Sequence, residues 1–371
     1  MDIIEALCQR FKSGETEKKY IGLELEHFVM TDNKMPLSYS NGVEKILNSV
    51  SSRFDEIHKE NGKILAMKCG GYSVSVEPGA QLEVSVKPCE NVHEIEKLLD
   101  SFYSDFEPVV KEAGGRFVNV GALSPDIPDK TEMIPKKRYE FMDEYFKTSG
   151  TMGRYMMRSS ASTQVSVDYE DEADFINKFR TAYLLTPFLA LYSAKGTPGE
   201  DSYLKRIDIW NNVDNDRTLP PRDLFDDSFG YESYAKHIAN TPVIFINSDK
   251  GYTYTGNMTV ADAAKIYGTD ENYIEHYLSM VFPDVRLKGF MEIRIADSMD
   301  RNKALEYCRI VSNIMYSKKA VSEIQNRYRG VNLDDIKKAK LNVRKFGGDA
   351  SVYNRRAKDE LDFILKLAGV E

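Results

Sequence analysis

Four short segments of the sequence alternate apolar and polar residues and carry a carboxylate or an amide on the polar side. They are residues 21–28, 80–86, 162–168 and 290–296. Because the side chains of a strand alternate between its two faces, residues two positions apart share a face. A sheet made of these segments would have one apolar face and one face set with acidic groups. Such a face is a candidate multi-metal site, and it points to chemistry on phosphates.

The acidic pair Glu24 and Glu26 lies on one face of the first segment. Two carboxylates on one strand face repel each other unless something cationic lies between them. Mg²⁺ prefers such oxygen ligands and keeps water or phosphate oxygens in its remaining positions. For this pair alone, a solvated polar face is the alternative. The presence of Glu83 and Glu292 on similar strands favours the metal site.

Three further polar segments could complete a phosphate site. The turn at 77–80 delivers Gln81 to a strand start, although an ordinary hairpin corner has the same composition. Residues 206–217 gather Asn, Asp, two Arg and the only Trp; a surface loop with incidental ion pairs is the alternative. Residues 286–294 alternate basic and acidic groups toward one side. Metal-binding Glu beside Arg suits phosphoryl transfer, in which cations neutralise the developing charge.

Other common catalytic motifs are missing from the sequence. It has no GxxxxGK[ST] loop, no GxGxxG fingerprint, no HExxH and no GxSxG elbow, and its five histidines show no metal-ligand spacing. His27 follows the acidic pair but should point to the apolar face, so a hydrogen-bonded core histidine is favoured over a ligand. Any use of ATP would therefore require a nucleotide fold without a P-loop.

Composition limits the partners and the compartment. The 371 residues carry a formal net charge of -8, so no global basic field recruits nucleic acid or an anionic membrane. The four cysteines form no CxxC pair, which fits a reducing compartment. The N-terminus lacks the pattern of a signal peptide, and the longest apolar stretch, 182–192, is shorter than the roughly 20 residues of a bilayer span. We expect a cytoplasmic protein.

The elements that must position these residues can be read from periodicity. Residues 91–113 predict an amphipathic helix, with Asn91 as N-cap and Glu94 at the capping-box spacing. Residues 63–76 predict one strand, and 196–232 an irregular region. From 302 onward the pattern is helical: 302–327, 333–344 and 351–368. Since no linker divides residues 1–371, we expect one α+β domain whose antiparallel sheet has helices over its apolar face.

Several of these segments resemble a known family at compatible spacing. Residues 21–28, 75–85, 135–142, 156–168, 206–217, 225–231 and 282–297 resemble glutamate–cysteine ligase of the plant and proteobacterial type. The resemblance implies the carboxylate–amine ligase fold related to glutamine synthetase, in which a curved antiparallel sheet forms a funnel that holds ATP and Mg²⁺. It implies that ATP phosphorylates the side-chain carboxylate of glutamate and that the amine of cysteine then displaces phosphate, giving γ-glutamylcysteine.

The resemblance also implies a role for particular residues. The metal ligands would be Glu24, Glu26, Glu83 and Glu292, for two or more Mg²⁺ ions, with Mn²⁺ as a substitute. Arg294 would face the transferring phosphoryl group, with Glu292, Arg286 and Lys288 beside it. The substrates and ATP would be bound by Gln81, Gln164, Arg206, Trp210, Arg217, Tyr139 and Met156, with Arg217 or Arg206 on the α-carboxylate of glutamate.

Two departures from the family keep alternatives open. The cysteines do not reproduce the positions of the plant regulatory disulfides, and the helical tail from about 302 matches only loosely. A related ligase that joins glutamate or another acid to a different amine is therefore the second hypothesis. A non-catalytic nucleotide- or amino-acid-binding protein is the third, and the four retained glutamates argue against it. In every case the expected partners are small molecules, and the protein is a monomer or a homodimer.

Overall fold

The computed structural model describes residues 1–370 as a mixture of helices and antiparallel strands. The α-helices are α1 (Ile3–Lys12), α2 (Glu44–Val50), α3 (Val92–Glu112), α4 (Lys137–Tyr145), α5 (Gly153–Ser159), α6 (Glu172–Ser193), α7 (Lys205–Asn211), α8 (Asn215–Thr218), α9 (Tyr231–Ala239), α10 (Val260–Tyr267), α11 (Glu271–Leu278), α12 (Arg301–Met315), α13 (Lys318–Arg327), α14 (Leu333–Phe346) and α15 (Ala357–Leu367). The strands are β1 (Ile21–Thr31), β2 (Glu56–Glu60), β3 (Lys63–Lys68), β4 (Tyr72–Val76), β5 (Leu82–Val86), β6 (Gly115–Val118), β7 (Thr163–Val167), β8 (Pro242–Ser248), β9 (Gly251–Thr259), β10 (Val285–Leu287), β11 (Met291–Ile293), β12 (Ser351–Val352) and β13 (Arg355–Arg356).

Nine of these strands form the main sheet, in which every pairing is antiparallel. The order is β10-β11-β7-β1-β5-β4-β3-β2, with β6 added to the far end of β1. The four alternating segments therefore become neighbours in the centre of the sheet: β11, β7, β1 and β5. This arrangement confirms the predicted α+β class with an antiparallel sheet.

The alternation in sequence becomes a difference between the two faces of the sheet. Leu23 and Leu25 of β1 are buried, as are Val84 on β5 and Val165 on β7, and all of them belong to the main hydrophobic core. Helices α3 and α12 pack against these strands, and α6 packs against β10 and β11 of the same sheet. Burying these aliphatic side chains stabilises the fold by about 1.5–3 kcal/mol for each one. The helices therefore cover the apolar face, as the periodicity predicted.

Helix α3 shows how local sequence places this cover. Asn91 accepts a hydrogen bond from the backbone N–H of Glu94 at 3.1 Å, which satisfies one of the free donors of the first turn. Gly114, with φ +77°, follows the helix in the left-handed conformation that glycine adopts without strain. The predicted bounds, 91–113, agree with the observed helix to within one residue at each end.

Four predicted elements needed correction. The predicted helix 351–368 begins only at Ala357, because residues 351–356 contain the β12–β13 hairpin. Residues 63–76 form two antiparallel strands rather than one, because the chain reverses at Gly70 and Gly71. The predicted helix 302–327 is divided at Ser317, whose side chain caps the N-terminus of α13. The region 196–232 contains the short helices α7 and α8, which are too brief to leave a clear periodic pattern.

One main hydrophobic core contains buried residues from Ile3 to Ala368. It therefore includes the C-terminal helices as well as the sheet, although the single-domain assignment itself stays a prediction. Strands β8 and β9 form a separate hairpin beside α4 and α10. Among residues 1–370, no helix has both the length and the apolar character that crossing a bilayer demands.

Candidate active site

The polar face of the main sheet forms the floor of a cleft that opens to solvent. Helices α4, α5 and α7 and the segment before β10 form its walls. The predicted residues that line it are Glu24, Glu26, Gln81, Glu83, Tyr139, Met156, Gln164, Arg206, Trp210, Arg286, Lys288 and Arg294. The fold thus brings twelve predicted residues from distant parts of the chain to one cavity, as expected of a ligand site.

The strand register sets the spacing of the acidic floor. Glu26 on β1 lies directly opposite Glu83 on β5, and Glu24 lies opposite Gln164 on β7. Gln164 donates to Glu26 at 3.1 Å, and Ser162 donates to the same carboxylate through its hydroxyl at 2.7 Å and its backbone N–H at 2.8 Å. These bonds hold Glu26 in place on the floor of the cleft.

Three of the floor carboxylates lie in surroundings that disfavour their negative charge. Burial raises the pKa of Glu83 well above its ordinary value, and the nearby charges of Glu24 and Glu77 raise it further. Burial also raises the pKa of Glu26 to about 7, with Glu77 as the second cause. For Glu24, burial and then the charge of Glu292 raise the pKa. These carboxylates lack enough positive charge around them, and a bound cation would supply it.

Glu292 lies in the opposite electrostatic situation. It is fully buried, and its carboxylate lies 2.6 Å from Arg286, 2.7 Å from Arg294 and 3.5 Å from Lys288. Burial alone would raise the pKa of Glu292, but these three cations together lower it below its ordinary range. Arg294 also donates to the side-chain oxygen of Gln164. The result is a cluster of three cations fixed around one carboxylate, at one side of the acidic floor.

Helix α7 contributes Arg206 and Trp210 to the lining of the cleft. Arg206 is buried and donates through Nη1 to the carbonyl oxygens of Ile295 at 3.0 Å and Ala296 at 3.1 Å. Its Nε, and the Nε1 of Trp210 one helical turn later, are buried without a hydrogen-bond partner in residues 1–370. Unsatisfied buried donors are rare and costly.

The remaining predicted binding residues occupy the opposite wall. Tyr139 donates from its hydroxyl to Glu77 at 3.3 Å, and Met156 packs nearby as part of an apolar surface. Both polar atoms of the Gln81 side chain form hydrogen bonds within the protein. Its Nε2 donates to the carbonyl of Ser160 at 2.9 Å, and its Oε1 accepts from Gly79 at 2.8 Å. These bonds tie the turn before β5 to the end of α5.

Arg217 requires a correction. It is fully buried away from the cleft, with Nε 2.6 Å from the carboxylate of Asp214 and Nη1 2.6 Å from the carbonyl of Met280. Its guanidinium also lies over the ring of Tyr145. Arg217 therefore holds α8 against the segment before β10, and of the two arginines proposed for the α-carboxylate only Arg206 reaches the cavity.

The sequence did not single out three charged residues of the cleft: Glu77, Lys136 and Arg138. Within residues 1–370, neither Lys136 nor Arg138 has a carboxylate within 4.0 Å, and the Nε of Arg138 is buried without a partner. All three lie in segments that resemble the family, 75–85 and 135–142, although no role was assigned to them. Lys136 and Arg138 stand in a run of basic residues before Tyr139, and basic runs are more often solvated, so periodicity alone could not place these two side chains.

His27, in contrast, lies where the alternation predicted. It is buried on the apolar side, where Nδ1 lies 3.2 Å from the carbonyl of Leu82 and Nε2 lies 2.8 Å from the hydroxyl of Tyr103. Burial lowers the pKa of His27 to about 4, so the ring is neutral near pH 7. The prediction of a hydrogen-bonded core histidine is confirmed.

The donor chemistry of the floor fits a hard divalent cation. Glu24, Glu26 and Glu83 offer carboxylate oxygens, and their raised pKa values reflect an excess of negative charge that Mg²⁺ would offset. In this conformation no three His, Cys, Asp or Glu side chains of residues 1–370 are grouped closely enough to hold one ion. Glu292 is already engaged by three cations. The assignment of the four glutamates as metal ligands stays a prediction.

A cleft with acidic groups beside fixed arginines, on one face of an antiparallel sheet, is the kind of site that handles phosphorylated compounds. Comparison with known families agrees. The model of Glutamate-cysteine ligase family 2 matches residues 20–323, which include the whole acidic floor and the Arg286–Arg294 segment. The chain belongs to this family.

Curated relatives support the same assignment. The chain is 34% identical over 313 residues to a chloroplastic glutamate–cysteine ligase of Medicago truncatula, covering 80% of this chain and 60% of the relative. It is 35% identical over 317 residues to glutamate–cysteine ligase A, chloroplastic, of Oryza sativa subsp. japonica, covering 80% and 62%. The chain thus spans about three fifths of the length of these relatives.

Two solved structures align with most of this chain at low sequence identity. A glutamate–cysteine ligase from Francisella tularensis in complex with AMP has a TM-score of 0.49 at 11% identity, covering 95% of this chain and 79% of that one. A bifunctional glutathione synthetase from Pasteurella multocida has a TM-score of 0.43 at 13% identity, covering 99% and 47%.

Proposed function

We propose that this protein joins the side-chain carboxylate of L-glutamate to the amine of L-cysteine at the expense of ATP. The product would be γ-glutamylcysteine, formed with ADP and phosphate in the first step of glutathione synthesis. The observation that supports this proposal most directly is the cleft itself. It combines an acidic floor, the cations around Glu292 and two free donors on α7, all within the residues that the family model matches.

In the first step, a γ-carboxylate oxygen of glutamate would attack the γ-phosphorus of ATP, and the bond from that phosphorus to the β–γ bridging oxygen would break. Arg294, Arg286 and Lys288 are placed to stabilise the charge of the transferring group, because Glu292 fixes their positions beforehand. Mg²⁺ held by the floor carboxylates would neutralise phosphate charge in the same cleft.

In the second step, the amine of the acceptor would attack the acyl carbon, the carbon–oxygen bond to the phosphate would break, and the proton lost by the amine would pass to solvent. The α-carboxylate of glutamate would accept hydrogen bonds from Arg206 Nε and Trp210 Nε1, whose donors are otherwise unsatisfied. Met156 and Tyr139, on the wall opposite α7, would pack against the bound substrate.

Purified protein with ATP, Mg²⁺, glutamate and a panel of amines tests the reaction. We expect phosphate release that requires both glutamate and cysteine, and a product with the mass of γ-glutamylcysteine. Release with other amines but not with cysteine would favour the second hypothesis, a ligase for a different acceptor. If no ATP is hydrolysed under any of these conditions, the third hypothesis, a non-catalytic binding protein, is favoured.

The metal assignment has its own test. Replacing Glu83 with Gln removes a carboxylate from the floor, and we expect the Mg²⁺ concentration for half-maximal rate to rise about tenfold or more. Glu56→Gln, an exposed residue on β2 of the same sheet, is the matched control. An unchanged Mg²⁺ requirement in Glu83→Gln would remove Glu83 from the ligand set.

We also propose a cytoplasmic location and a monomeric or homodimeric state. All four cysteines are free, and Cys89 and Cys308 are buried, which suits a reducing compartment. Localisation of a tagged full-length chain and its mass by light scattering would test the two statements. An oxidising compartment or a larger assembly would contradict them.

A further inference from the structure

Helix α14 lies beyond the family match, which ends at residue 323, yet it contacts the walls of the cleft. Its residue Arg344 is largely buried, with 13% of its side chain exposed. The guanidinium donates to the Asp208 carboxylate at 3.2 Å and to the carbonyl oxygens of Glu200 at 2.9 Å and Asp201 at 2.8 Å. One side chain thereby joins α14 to α7 and to the loop before it.

A second contact from the same face of α14 reaches the other wall. Lys340 forms an ion pair with Asp284, and both side chains are largely buried. The backbone carbonyl of Asp284 accepts from the N–H of Arg294 at 2.8 Å. Lys340 also lines a narrow cavity behind the cleft together with Arg206 and Trp210. Helix α14 is therefore fixed at both sides of the residues that would bind substrate.

Helix α7 has little intrinsic stability. It is seven residues long, and its N-cap, Leu204, lies in the left-handed region at φ 49° and supplies no side-chain cap. Isolated helices this short are unstable in water, and tertiary contacts must supply their order. A leucine at positive φ adds strain that the surroundings must overcome. Arg344 contacts the loop before α7 through the carbonyls of Glu200 and Asp201, and it contacts α7 itself through Asp208.

We propose that α14 is a brace for α7, and that Arg344 is a positioning residue that sets the place of Arg206 and Trp210 in the cleft. Arg344 itself does not line the cleft. The proposal rests on the proposed function in one respect, namely that Arg206 and Trp210 bind glutamate. The position of α7, in contrast, can be measured without any reaction.

The experiment compares Arg344→Met with Lys345→Met in the full chain. Lys345 is the next residue of α14, is exposed, and has no carboxylate within 4.0 Å in residues 1–370, so its replacement removes the same charge without removing the brace. We expect Arg344→Met to raise the KM for glutamate about tenfold while kcat and the KM for ATP stay within about twofold, because only α7 is displaced. Lys345→Met should match the unmodified protein.

The single tryptophan gives a second readout that needs no substrate. Since Trp210 is the only one in the chain and lies on α7, its emission and its quenching by acrylamide report on this helix alone. We expect Arg344→Met to increase quenching. Arg344→Lys keeps the positive charge but lacks the planar guanidinium that donates to three oxygens, so it should give a smaller increase. If Arg344→Met fails to fold, Arg344→Lys carries the test.

A double variant tests whether Arg344 affects the KM for glutamate through its contact with Asp208. If Arg344 acts through Asp208, then Arg344→Met with Asp208→Asn should be no worse in glutamate KM than Arg344→Met alone. Unchanged quenching and unchanged KM in Arg344→Met would overturn the proposal, and so would equal effects in Lys345→Met. If no ligase activity is found in any form but quenching still differs between the two variants, the proposed function fails and the brace stands.

Discussion

Residues of the same type have different roles in the cleft because their neighbours differ. Glu292 is surrounded by three cations and Glu83 by other carboxylates, although both occupy the same kind of position in the sequence. Strand alternation is local, so it predicted which face each glutamate would take. It could not predict ion pairing, since Arg286 meets Glu292 only through the β10–β11 pairing. Asp214 is only three residues from Arg217, but the burial of Arg217 also depends on the distant carbonyl of Met280, which strand alternation could not reveal.

The first prediction concerns Asp297, which follows β11 and is 5% exposed. Burial raises its pKa from 3.8 to about 6, although the charge of Arg206 opposes the shift. A carboxyl whose pKa is raised on folding favours the folded state when protonated. Its contribution is therefore full below about pH 4 and is lost as the pH rises through 6, by about 3 kcal/mol in all.

Asp297→Asn stays neutral, so it should not lose this stability. We expect the free energy of unfolding of the variant, minus that of the unmodified protein, to increase between pH 4 and pH 6 and then to level off. Denaturant unfolding at several pH values measures the difference. A difference that is constant from pH 4 to pH 7 would contradict the raised pKa.

At the scale of elements, the sequence predicted most accurately the segments that are long or that begin with a capping residue. Helix α3 has 21 residues and a side-chain cap, and its bounds were predicted well. Helices α7 and α8 have seven and four residues, too few to leave a clear periodic pattern. Arg344, which contacts Asp208 of α7, and Met280, which accepts from Arg217 of α8, lie far away in sequence, so no local pattern in 196–232 could have indicated these contacts.

A prediction at this scale tests the cap of α3. Asn91→Ala removes the acceptor of the Glu94 N–H and should lower the free energy of unfolding by about 1 kcal/mol. Asn91→Asp keeps an acceptor oxygen in the same place and should cost much less. Denaturant unfolding of both variants gives the comparison, and equal losses would show that the cap oxygen is not the cause.

At the scale of the whole molecule, the C-terminal helices are part of the main core. Glu360 of α15 is 3% exposed and accepts from Arg327 of α13 at 2.6 and 2.7 Å and from the hydroxyl of Tyr328 at 2.9 Å. Sequence periodicity predicted these helices but not their attachment. The attachment depends on a carboxylate buried at a helix contact, which looks like any other polar position in the sequence.

Replacing Glu360 with Gln should therefore loosen α15 from α13. We expect a loss of about 2 kcal/mol, below the value for a fully buried pair because Arg327 is 28% exposed. Hydrogen exchange should show faster exchange of the α15 amides. Asp362→Asn, an exposed residue of the same helix, is the control. Protection of α15 that is unchanged in Glu360→Gln would show that apolar packing alone holds the helix.

The cations fixed around Glu292 have a consequence for how stability and activity trade against each other. Their charges are already oriented by Glu292, so under the proposed function little reorganisation energy would be needed as phosphate charge developed beside them. Holding three cations and one carboxylate out of water weakens the folded state relative to an apolar core of the same shape. We therefore expect that replacing Glu292 and its partners by well-packed apolar residues would give a protein that unfolds at a higher temperature and has no catalytic activity. Selection for thermal stability alone would then drive this part of the sheet away from catalysis.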